Sequence, residues 1–293
     1  MAWNLTSPGD VRALLARYGI VPRKSLGQHF LVAAPVLDKI VDALAPGAAD
    51  TVVEIGPGLG VLTQRLAATG ASIIAVELDG RLLPVLRETL APYRNVGVVH
   101  GDALQVDFNS LVAAHGGKTP YKVAGNLPYN ITGPLVARLL REPCSVERLV
   151  FMVQKEVADR FVAQPGTREY GSLTILVQYR THCRVVAGVS RRCFYPPPEV
   201  ASAVVQMVVR EEPPAPVLDE RLFWSVVRAA FAQRRKTLKN ALRAQMGVDT
   251  RCCERVLAQV GIDPQRRGET LSIGEFAALT NALVRAAGGK DDV

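Results

Sequence analysis

The sequence predicts an α/β protein with a largely parallel sheet, followed by a small domain made only of helices. Short, β-branched apolar runs alternate with amphipathic helical patterns over roughly the first 170 residues, as in parallel strands joined by helices. From about Asp219 onward the pattern is helical throughout. We therefore expect an α/β domain with an N-terminal helical extension over residues 1–210, a proline-rich linker at 210–217, and a helical domain over 218–293.

The first domain contains five predicted strands, at 51–56, 72–78, within 96–103, at 121–126 and at 148–154. The predicted helices between them cover 59–69, 80–91 and 133–140. The apolar stretches 173–186 and 201–210 are predicted to be longer strands near the edge of the sheet. This order places the carboxyl ends of the first four strands along one edge.

Charge and composition limit the function classes. The net charge of +8 and the pI near 9.4 favour a polyanionic partner, and nucleic acid more than a membrane surface. We find no signal-peptide pattern and no apolar run long enough to cross a bilayer, so a cytoplasmic protein without a membrane partner is expected. The five cysteines form no C-x-x-C pair, which predicts free thiols and no metal site.

Polar groups follow three successive predicted strands. Gly56, Gly58 and Gly60 lie between the first strand and its helix, where bare backbone lets a ligand approach the helix N-terminus. Glu77 ends the next strand, where a carboxylate can accept hydrogen bonds from ribose hydroxyls, and Asp102 follows the third strand. A tight turn with two acidic helix caps is the alternative. The three groups in register favour a site for a nucleoside-bearing cofactor.

The cofactor is then either a dinucleotide or S-adenosyl-L-methionine. The second half of the chain contains no further nucleotide-binding βαβ pattern, which argues against a dinucleotide. Glu54, just before the glycines, would lie near a cationic centre, which suits a sulfonium. S-adenosyl-L-methionine is therefore the preferred cofactor.

The segment "NLPY" (126–129) ends the fourth predicted strand at the edge of this crevice. The amide oxygen of Asn126 and the carbonyl of Leu127 can accept hydrogen bonds from an exocyclic amine, which positions that amine for methyl transfer. Tyr129 can stack on a base that has left its helix. The alternative is a turn with a buried tyrosine.

The segment "CFYPPPEV" (193–200) offers a second aromatic ring. Three prolines stiffen the loop and could hold Phe194 over the crevice without an ordering cost at binding. Tyr195 competes for this role, and a ring that only fills the core remains the alternative.

These motifs occur in an order that resembles the rRNA adenine N6,N6-dimethyltransferases, the kasugamycin-sensitivity and Dim1-type family. The resemblance is carried by 24–31, 53–63, 76–79, 101–104, 126–129, 194–205 and 229–242, and it extends through the last helices. It implies a Rossmann-like class I S-adenosylmethionine-dependent methyltransferase fold. It also implies dimethylation of two adjacent adenosines in the 3′-terminal helix loop of 16S rRNA, late in 30S subunit assembly.

The resemblance also implies residue roles. Contacts to S-adenosylmethionine fall on His29, Leu31, Gly56, Glu77, Asp102 and Asn126. Asn126 and the Leu127 carbonyl would hold the target N6, while Tyr129 and Phe194 would enclose the base. The expected partner is 16S rRNA in an immature 30S subunit, and the expected state is a monomer.

Two positions depart from the family pattern. The family usually has asparagine where this chain has His29, and a histidine there predicts mildly pH-dependent cofactor binding. Glu199 replaces a cation in the proline-rich loop, which removes one expected attraction to RNA.

The positive charge is concentrated in the helical domain. The segment 231–243 is expected to place Phe231, Leu238 and Leu242 on one face of a helix and basic residues on another. A solvated face is the ordinary explanation of such a stripe, but beside a base-modifying site we interpret it as a phosphate-binding surface. The candidate RNA-binding residues are Arg234, Arg235, Lys236, Lys239 and Arg243.

Two other functions stay open at this point. One is a macrolide-resistance-type adenine N6-methyltransferase acting on large-subunit rRNA, and the other is a non-catalytic ribosome assembly factor on the same fold. The C-terminal region resembles the small-subunit enzymes more closely than the first alternative. The intact "NLPY" and glycine loop argue against the second.

Overall fold

The computed structural model describes residues 3–23, 26–128, 131–141, 145–233 and 235–288. The chain divides into two compact units, and each combines two stretches of sequence. Unit 1 is Met1–Ala158 with Thr181–Val209, and unit 2 is Asp159–Arg180 with Arg210–Val293. The second stretch of unit 2 begins at Arg210, close to the expected boundary, whereas Asp159–Arg180, expected in the α/β domain, groups with the helical unit.

Unit 1 is built on one seven-stranded sheet. Its strands are β2 (Thr51–Ile55), β3 (Ser72–Glu77), β4 (Val96–His100), β5 (Tyr121–Asn126), β6 (Val146–Gln154), β7 (Thr181–Val189) and β9 (Ser202–Val209). They lie in the order β4-β3-β2-β5-β6-β9-β7. The first five strands in this order are parallel to one another, and β9 and β7 are antiparallel additions at one side. A separate antiparallel pair joins β1 (Phe30–Leu31) to β8 (Phe194–Tyr195).

Helices precede and connect these strands, which confirms the predicted α/β fold class. They are α1 (Pro8–Arg17), α2 (Ala34–Leu44), α3 (Val61–Ala67), α4 (Leu83–Thr89), α5 (Phe108–Ala114), α6 (Thr132–Arg141) and α7 (Lys155–Phe161). A short 3₁₀ turn, Gly80–Leu82, precedes α4. The strands β2, β3 and β5 are buried along nearly their whole length, as expected for a parallel sheet covered on both faces.

One predicted strand is partly a helix. The sequence predicts extended structure over 173–186, but residues Ser172–Arg180 form α8 and only the remainder continues into β7. The helix buries residues around most of its circumference, including Ile175, Leu176 and Val177. Such a run has no 3.6-residue periodicity, so its pattern is indistinguishable from that of a buried strand.

Unit 2 continues with α9 (Glu220–Ala232), α10 (Leu238–Met246), α11 (Thr250–Gln259) and α12 (Ile273–Gly288), which confirms the helical C-terminal region. Its core contains a contact cluster of three aromatic rings. Tyr179 stacks on Phe223 at 4.8 Å between ring centroids, and Trp224 meets Phe223 edge-on at 4.8 Å. The buried hydroxyl of Tyr170 donates to the carbonyl of Leu271 at 2.9 Å.

The predicted continuous basic helix is in fact two helices. α9 ends at Ala232, and Thr237 is the N-cap of α10, with its side chain accepting a hydrogen bond from the backbone of Asn240. Phe231 therefore lies on a different helix from Leu238 and Leu242. The prediction that these three residues share one helical face was wrong, because a threonine cap interrupts the pattern.

Candidate functional site

One crevice lies at the carboxyl edge of the parallel strands in unit 1. Gly56 follows β2, Glu77 ends β3, Asp102 follows β4, and Asn126 ends β5, and all four line this crevice. Parallel strands bring their carboxyl ends to the same edge, and the crevice forms where the strand order reverses between β2 and β5. The structure thus brings together polar groups that are up to 70 positions apart in the sequence.

The glycine loop between β2 and α3 has an unusual backbone. Gly56, Gly58 and Gly60 have φ values of 69°, 61° and 92°, which side-chain-bearing residues rarely adopt. A Cβ on Gly58 would also lie 3.2 Å from the ring of Phe30. The loop therefore requires glycine both for its conformation and for its close contact with β1.

Glu77 is 6% exposed and is held by the backbone on both sides. Its Oε2 accepts a hydrogen bond from the amide of Gly58 at 3.2 Å, and its Oε1 accepts one from the amide of Asp79 at 2.8 Å. Burial raises the pKa of the Glu77 carboxyl, and these two amides oppose that rise. The carboxylate is consequently fixed in orientation at the crevice wall.

Asn126 is linked to the segment before β1. Its Nδ2 donates to the carbonyl of His29 at 2.8 Å, so the amide oxygen is on the side away from that carbonyl. His29 also lines the crevice, and its Nδ1 donates to the carbonyl of Pro196 at 2.8 Å. This chain of contacts ties the end of β5 to the proline-rich loop through one histidine.

Asp102 is held in a local turn. Its Oδ1 accepts from the amide of Leu104 at 2.9 Å, and its Oδ2 accepts from the side chain of Gln105 at 3.1 Å. Arg138 of α6 donates from Nη1 to the carbonyl of Ala103 at 3.1 Å. The segment after β4 is therefore positioned both by its own turn and by α6.

Glu54 is the most deeply buried acid of the crevice. The residue is 1% exposed, and its Oε2 has no hydrogen-bond partner among the residues that the structure describes. Burial raises the pKa of Glu54 to about 8, and the negative charge of Glu77 adds to that effect. At neutral pH this carboxyl is therefore mostly protonated.

The N-terminal segment, comprising α1 and the residues just before it, forms part of the crevice wall that the sequence did not predict. Leu5 and Val11 line the crevice and pack with Phe30 in one hydrophobic cluster. Trp3 donates from Nε1 to Glu88 of α4 at 2.8 Å, and Tyr18 also donates to that carboxylate. The sequence indicated an amphipathic N-terminal helix, but it did not indicate which part of the protein the apolar face of this helix packs against.

None of three residues predicted for the base site is seen to line the crevice. Two of them are buried elsewhere, and the third is not among the described residues. Phe194 is 5% exposed and packs in a core cluster with Leu31 and Val204. Leu127 is 1% exposed, and its amide donates to the carbonyl of Met152 at 3.0 Å. Tyr129 lies outside the described residues. The predicted cofactor contacts His29 and Leu31, by contrast, both line the crevice.

The basic residues of unit 2 are distributed over two segments. Arg235 and Lys236 are exposed between α9 and α10, while Lys239 and Arg243 lie one turn apart on α10. Lys239 forms an ion pair with Glu254 at 2.8 Å. The fifth predicted residue, Arg234, lies outside the described residues.

Within the described ranges, no helix has both the length and the apolarity needed to cross a membrane. Within the same residues, no group of three or more His, Cys, Asp or Glu side chains could hold a metal ion.

Comparison with known proteins shows that nearly the whole chain is similar to methyltransferases of ribosomal RNA. The family model for ribosomal RNA adenine dimethylases matches residues 21–283. A ribosomal RNA small subunit methyltransferase A from Geobacillus kaustophilus is 48% identical over 284 residues, which cover 96% of this chain and 97% of that protein.

Solved structures of two RNA methyltransferases also resemble this chain over most of its length. A dimethyladenosine transferase from Plasmodium falciparum superposes with a TM-score of 0.76 at 26% identity, covering 88% of this chain and 98% of the other. The 23S rRNA methyltransferase ErmE superposes with a TM-score of 0.67 at 26% identity, covering 87% of this chain and 99% of the other. The Rossmann-like methyltransferase fold is thereby confirmed.

Proposed function

Because the chain belongs to the ribosomal RNA adenine dimethylase family, we propose that it dimethylates N6 of two adjacent adenosines in the 3′-terminal helix loop of 16S rRNA. It is an S-adenosylmethionine-dependent rRNA methyltransferase with a Rossmann-like fold. The choice of small-subunit RNA is supported by the 48% identity to a small subunit methyltransferase over nearly the full length of both chains.

The crevice fits S-adenosylmethionine. Glu77 presents a fixed carboxylate that can accept two ribose hydroxyls, and the glycine loop leaves bare backbone at Gly56 where a side chain would otherwise fill the space. Glu54 offers at the same site a buried oxygen that has no hydrogen-bond partner in the described part of the chain. We assign the cofactor contacts to His29, Leu31, Gly56, Glu77, Asp102 and Asn126, all of which line the crevice.

The chemistry divides between cofactor and protein. When bound, S-adenosylmethionine supplies a methyl group already activated by the sulfonium. The protein then has to orient the amine: the Asn126 amide oxygen and the Leu127 carbonyl accept from the N6 hydrogens, so that the nitrogen lone pair faces the methyl group. The observation that carries this assignment is the bond from Asn126 Nδ2 to the carbonyl of His29, which fixes the amide orientation.

Aromatic rings would complete the base site. We propose that Tyr129 and Phe194 enclose the target adenine, with Tyr195 as the alternative to Phe194. Stacking partly offsets the few kcal/mol that an unstacked base loses. Tyr195 is half-buried, whereas Phe194 is in the core, so the two rings differ in how readily they can reach a base.

A pair of substitutions separates these two rings. If Phe194 stacks on adenine, Phe194→Leu raises KM for RNA at unchanged affinity for S-adenosylmethionine, and Tyr195→Leu has little effect. If Phe194 only fills the core, Phe194→Leu lowers the melting temperature and leaves KM per folded molecule unchanged, because a large buried ring has been replaced by a smaller group.

RNA contacts outside the crevice are assigned to Arg234, Arg235, Lys236, Lys239 and Arg243. Clustered cations bind phosphates without reading sequence, so they position the RNA while the splayed loop supplies specificity. We further propose that the substrate is 16S rRNA within an immature 30S subunit, and that the enzyme acts in the cytoplasm as a monomer.

The decisive test is methyl transfer from radiolabelled S-adenosylmethionine to small subunits that lack the modification, with the product mapped by nuclease digestion and mass spectrometry. We expect N6,N6-dimethyladenosine at two adjacent positions. Asn126→Ala should lose at least about tenfold in rate. Label found only in large-subunit RNA would show the resistance-type activity, and tight subunit binding without transfer would show an assembly factor.

A further inference from the structure

Glu54 has one carboxyl oxygen for which the described residues offer no hydrogen-bond partner. In the sheet its neighbours are Ala75 of β3 and Ala124 of β5, so small apolar side chains flank it on both sides. The residue is 1% exposed and lines the crevice, and its Oε2 has no hydrogen-bond partner within the described part of the chain. Buried polar atoms are nearly always paired, so an unpaired oxygen facing a ligand site calls for an explanation.

The titratable groups around the crevice do not neutralise Glu54. Glu77 and Asp102 are acidic, and His29 is the basic group among the described residues that line the crevice. From α3, Thr63 offers a hydroxyl that offsets only part of the effect of burial, and Arg65 forms an ion pair with Asp38 at 3.5 Å. A second acid nearby makes a negative charge on Glu54 still less favourable.

We propose that Glu54 is a proton-linked binding residue, neutral in the free enzyme and losing its proton to the solvent when the positively charged methionine portion of S-adenosylmethionine binds. The inference rests on the proposed function of the crevice as the S-adenosylmethionine site. A cation beside a buried carboxyl favours its charged form, and it would interact with the Oε2 that no described residue pairs. Binding of S-adenosylmethionine and release of one proton are then one linked event.

The sign of the pH dependence follows from the free enzyme. With its pKa at about 8, Glu54 is mostly neutral at pH 6 and at pH 7, and only the ionised fraction attracts the cation. That fraction rises about tenfold per pH unit in this range, so the apparent affinity for S-adenosylmethionine should rise about tenfold from pH 6 to pH 7.

Isothermal titration calorimetry measures the proton directly. Titrating the full-length enzyme with S-adenosylmethionine at pH 7, in buffers of different ionisation enthalpy, should give release of about 0.9 proton per ligand. The matched ligand is 5′-methylthioadenosine, which has the same adenosine and a neutral sulfur but no cationic centre. Its binding should release almost no proton.

Two variants locate the proton. Glu54→Gln keeps the shape of the side chain but cannot ionise, so proton release should disappear and the affinity ratio between pH 6 and pH 7 should fall to nearly one. His29→Asn replaces the basic side chain among the described residues that line the crevice, and proton release should persist. Circular dichroism verifies that both variants are folded.

The outcomes separate the two proposals. Tight binding of S-adenosylmethionine with no proton release, or equal release with 5′-methylthioadenosine, would overturn the role of Glu54 and leave the cofactor site intact. Absence of binding would overturn both. If Glu54→Gln does not fold, equal proton release with the two ligands on the unaltered chain still overturns the proposal.

Discussion

Replacing Glu54 with glutamine should stabilise the protein in the absence of cofactor, and the gain should grow with pH. Burial raises the pKa of Glu54 from 4.5 to about 8. Between these two values the unfolded chain has released a proton that the folded protein still holds, so each pH unit lowers the stability by about 1.4 kcal/mol. Glutamine is neutral in both states and loses nothing.

The magnitude follows from this difference. From pH 4.5 to pH 7, about 2.5 pH units, the free energy of unfolding falls by roughly 3 kcal/mol. At pH 5 the fall is below about 1 kcal/mol. We therefore expect Glu54→Gln to raise the free energy of unfolding by roughly 3 kcal/mol at pH 7 and by much less at pH 5. The wild-type protein should lose this stability progressively as the pH rises from 4.5 to 8.

The assay is guanidinium unfolding at pH 5 and pH 7, followed by fluorescence. The chain has two tryptophans, and Trp224→Phe leaves Trp3 as the reporter of unit 1. The exposed Glu211→Gln is the matched control and should change the stability little at either pH. Equal gains at both pH values, or a loss at pH 7, would refute the assignment of a buried neutral carboxyl.

Three further predictions concern packing and charge. Gly125→Ala places a Cβ 2.4 Å from the carbonyl oxygen of Ile55, so β2 and β5 must separate. We expect weaker S-adenosylmethionine binding by calorimetry and a lower melting temperature. An unchanged Kd would contradict this expectation. Tyr170→Phe leaves the buried carbonyl of Leu271 without its donor, which should cost about 1–3 kcal/mol in chemical unfolding; no change would mean that water replaces the hydroxyl. Lys239→Gln removes an exposed ion pair and should change the free energy of unfolding by less than about 1 kcal/mol. Binding to RNA should weaken, and the slope of the logarithm of the binding constant against the logarithm of salt concentration should fall by the amount for about one phosphate contact. An unchanged slope would exclude Lys239 from the RNA surface.

The sequence predicted the sheet and the crevice well because the relevant signals are local. Each parallel strand is a short β-branched run, and a polar residue or glycine marks its end, as at Glu77 and Asn126. Since parallel strands align their carboxyl ends, local signals were enough to predict which residues meet in space.

The errors have different physical causes. α8 is buried on most sides, so its sequence carries no helical period to distinguish it from a strand. The break before α10 depends on the N-cap at Thr237. Threonine also occurs inside helices, so its presence in the sequence did not reveal that a new helix begins there. The wall formed by Leu5 and Val11 depends on where α1 packs, which is a tertiary property that no local pattern contains.

The acidic lining of the crevice also determines which adenosine compounds can compete for it. Adenosine is the common part of S-adenosylmethionine, ATP and NAD, so the ribose and adenine contacts alone do not discriminate among them. Glu77 and Asp102 are the acids that face a phosphate, since Glu54 stays mostly neutral without a cation beside it, and no lysine or arginine is found among the described residues that line the crevice. Phosphate groups would therefore meet negative charge and no compensating cation at short range, where like charges repel strongly. The enzyme can thus discriminate against nucleotides by the sign of its crevice, without a steric barrier against them.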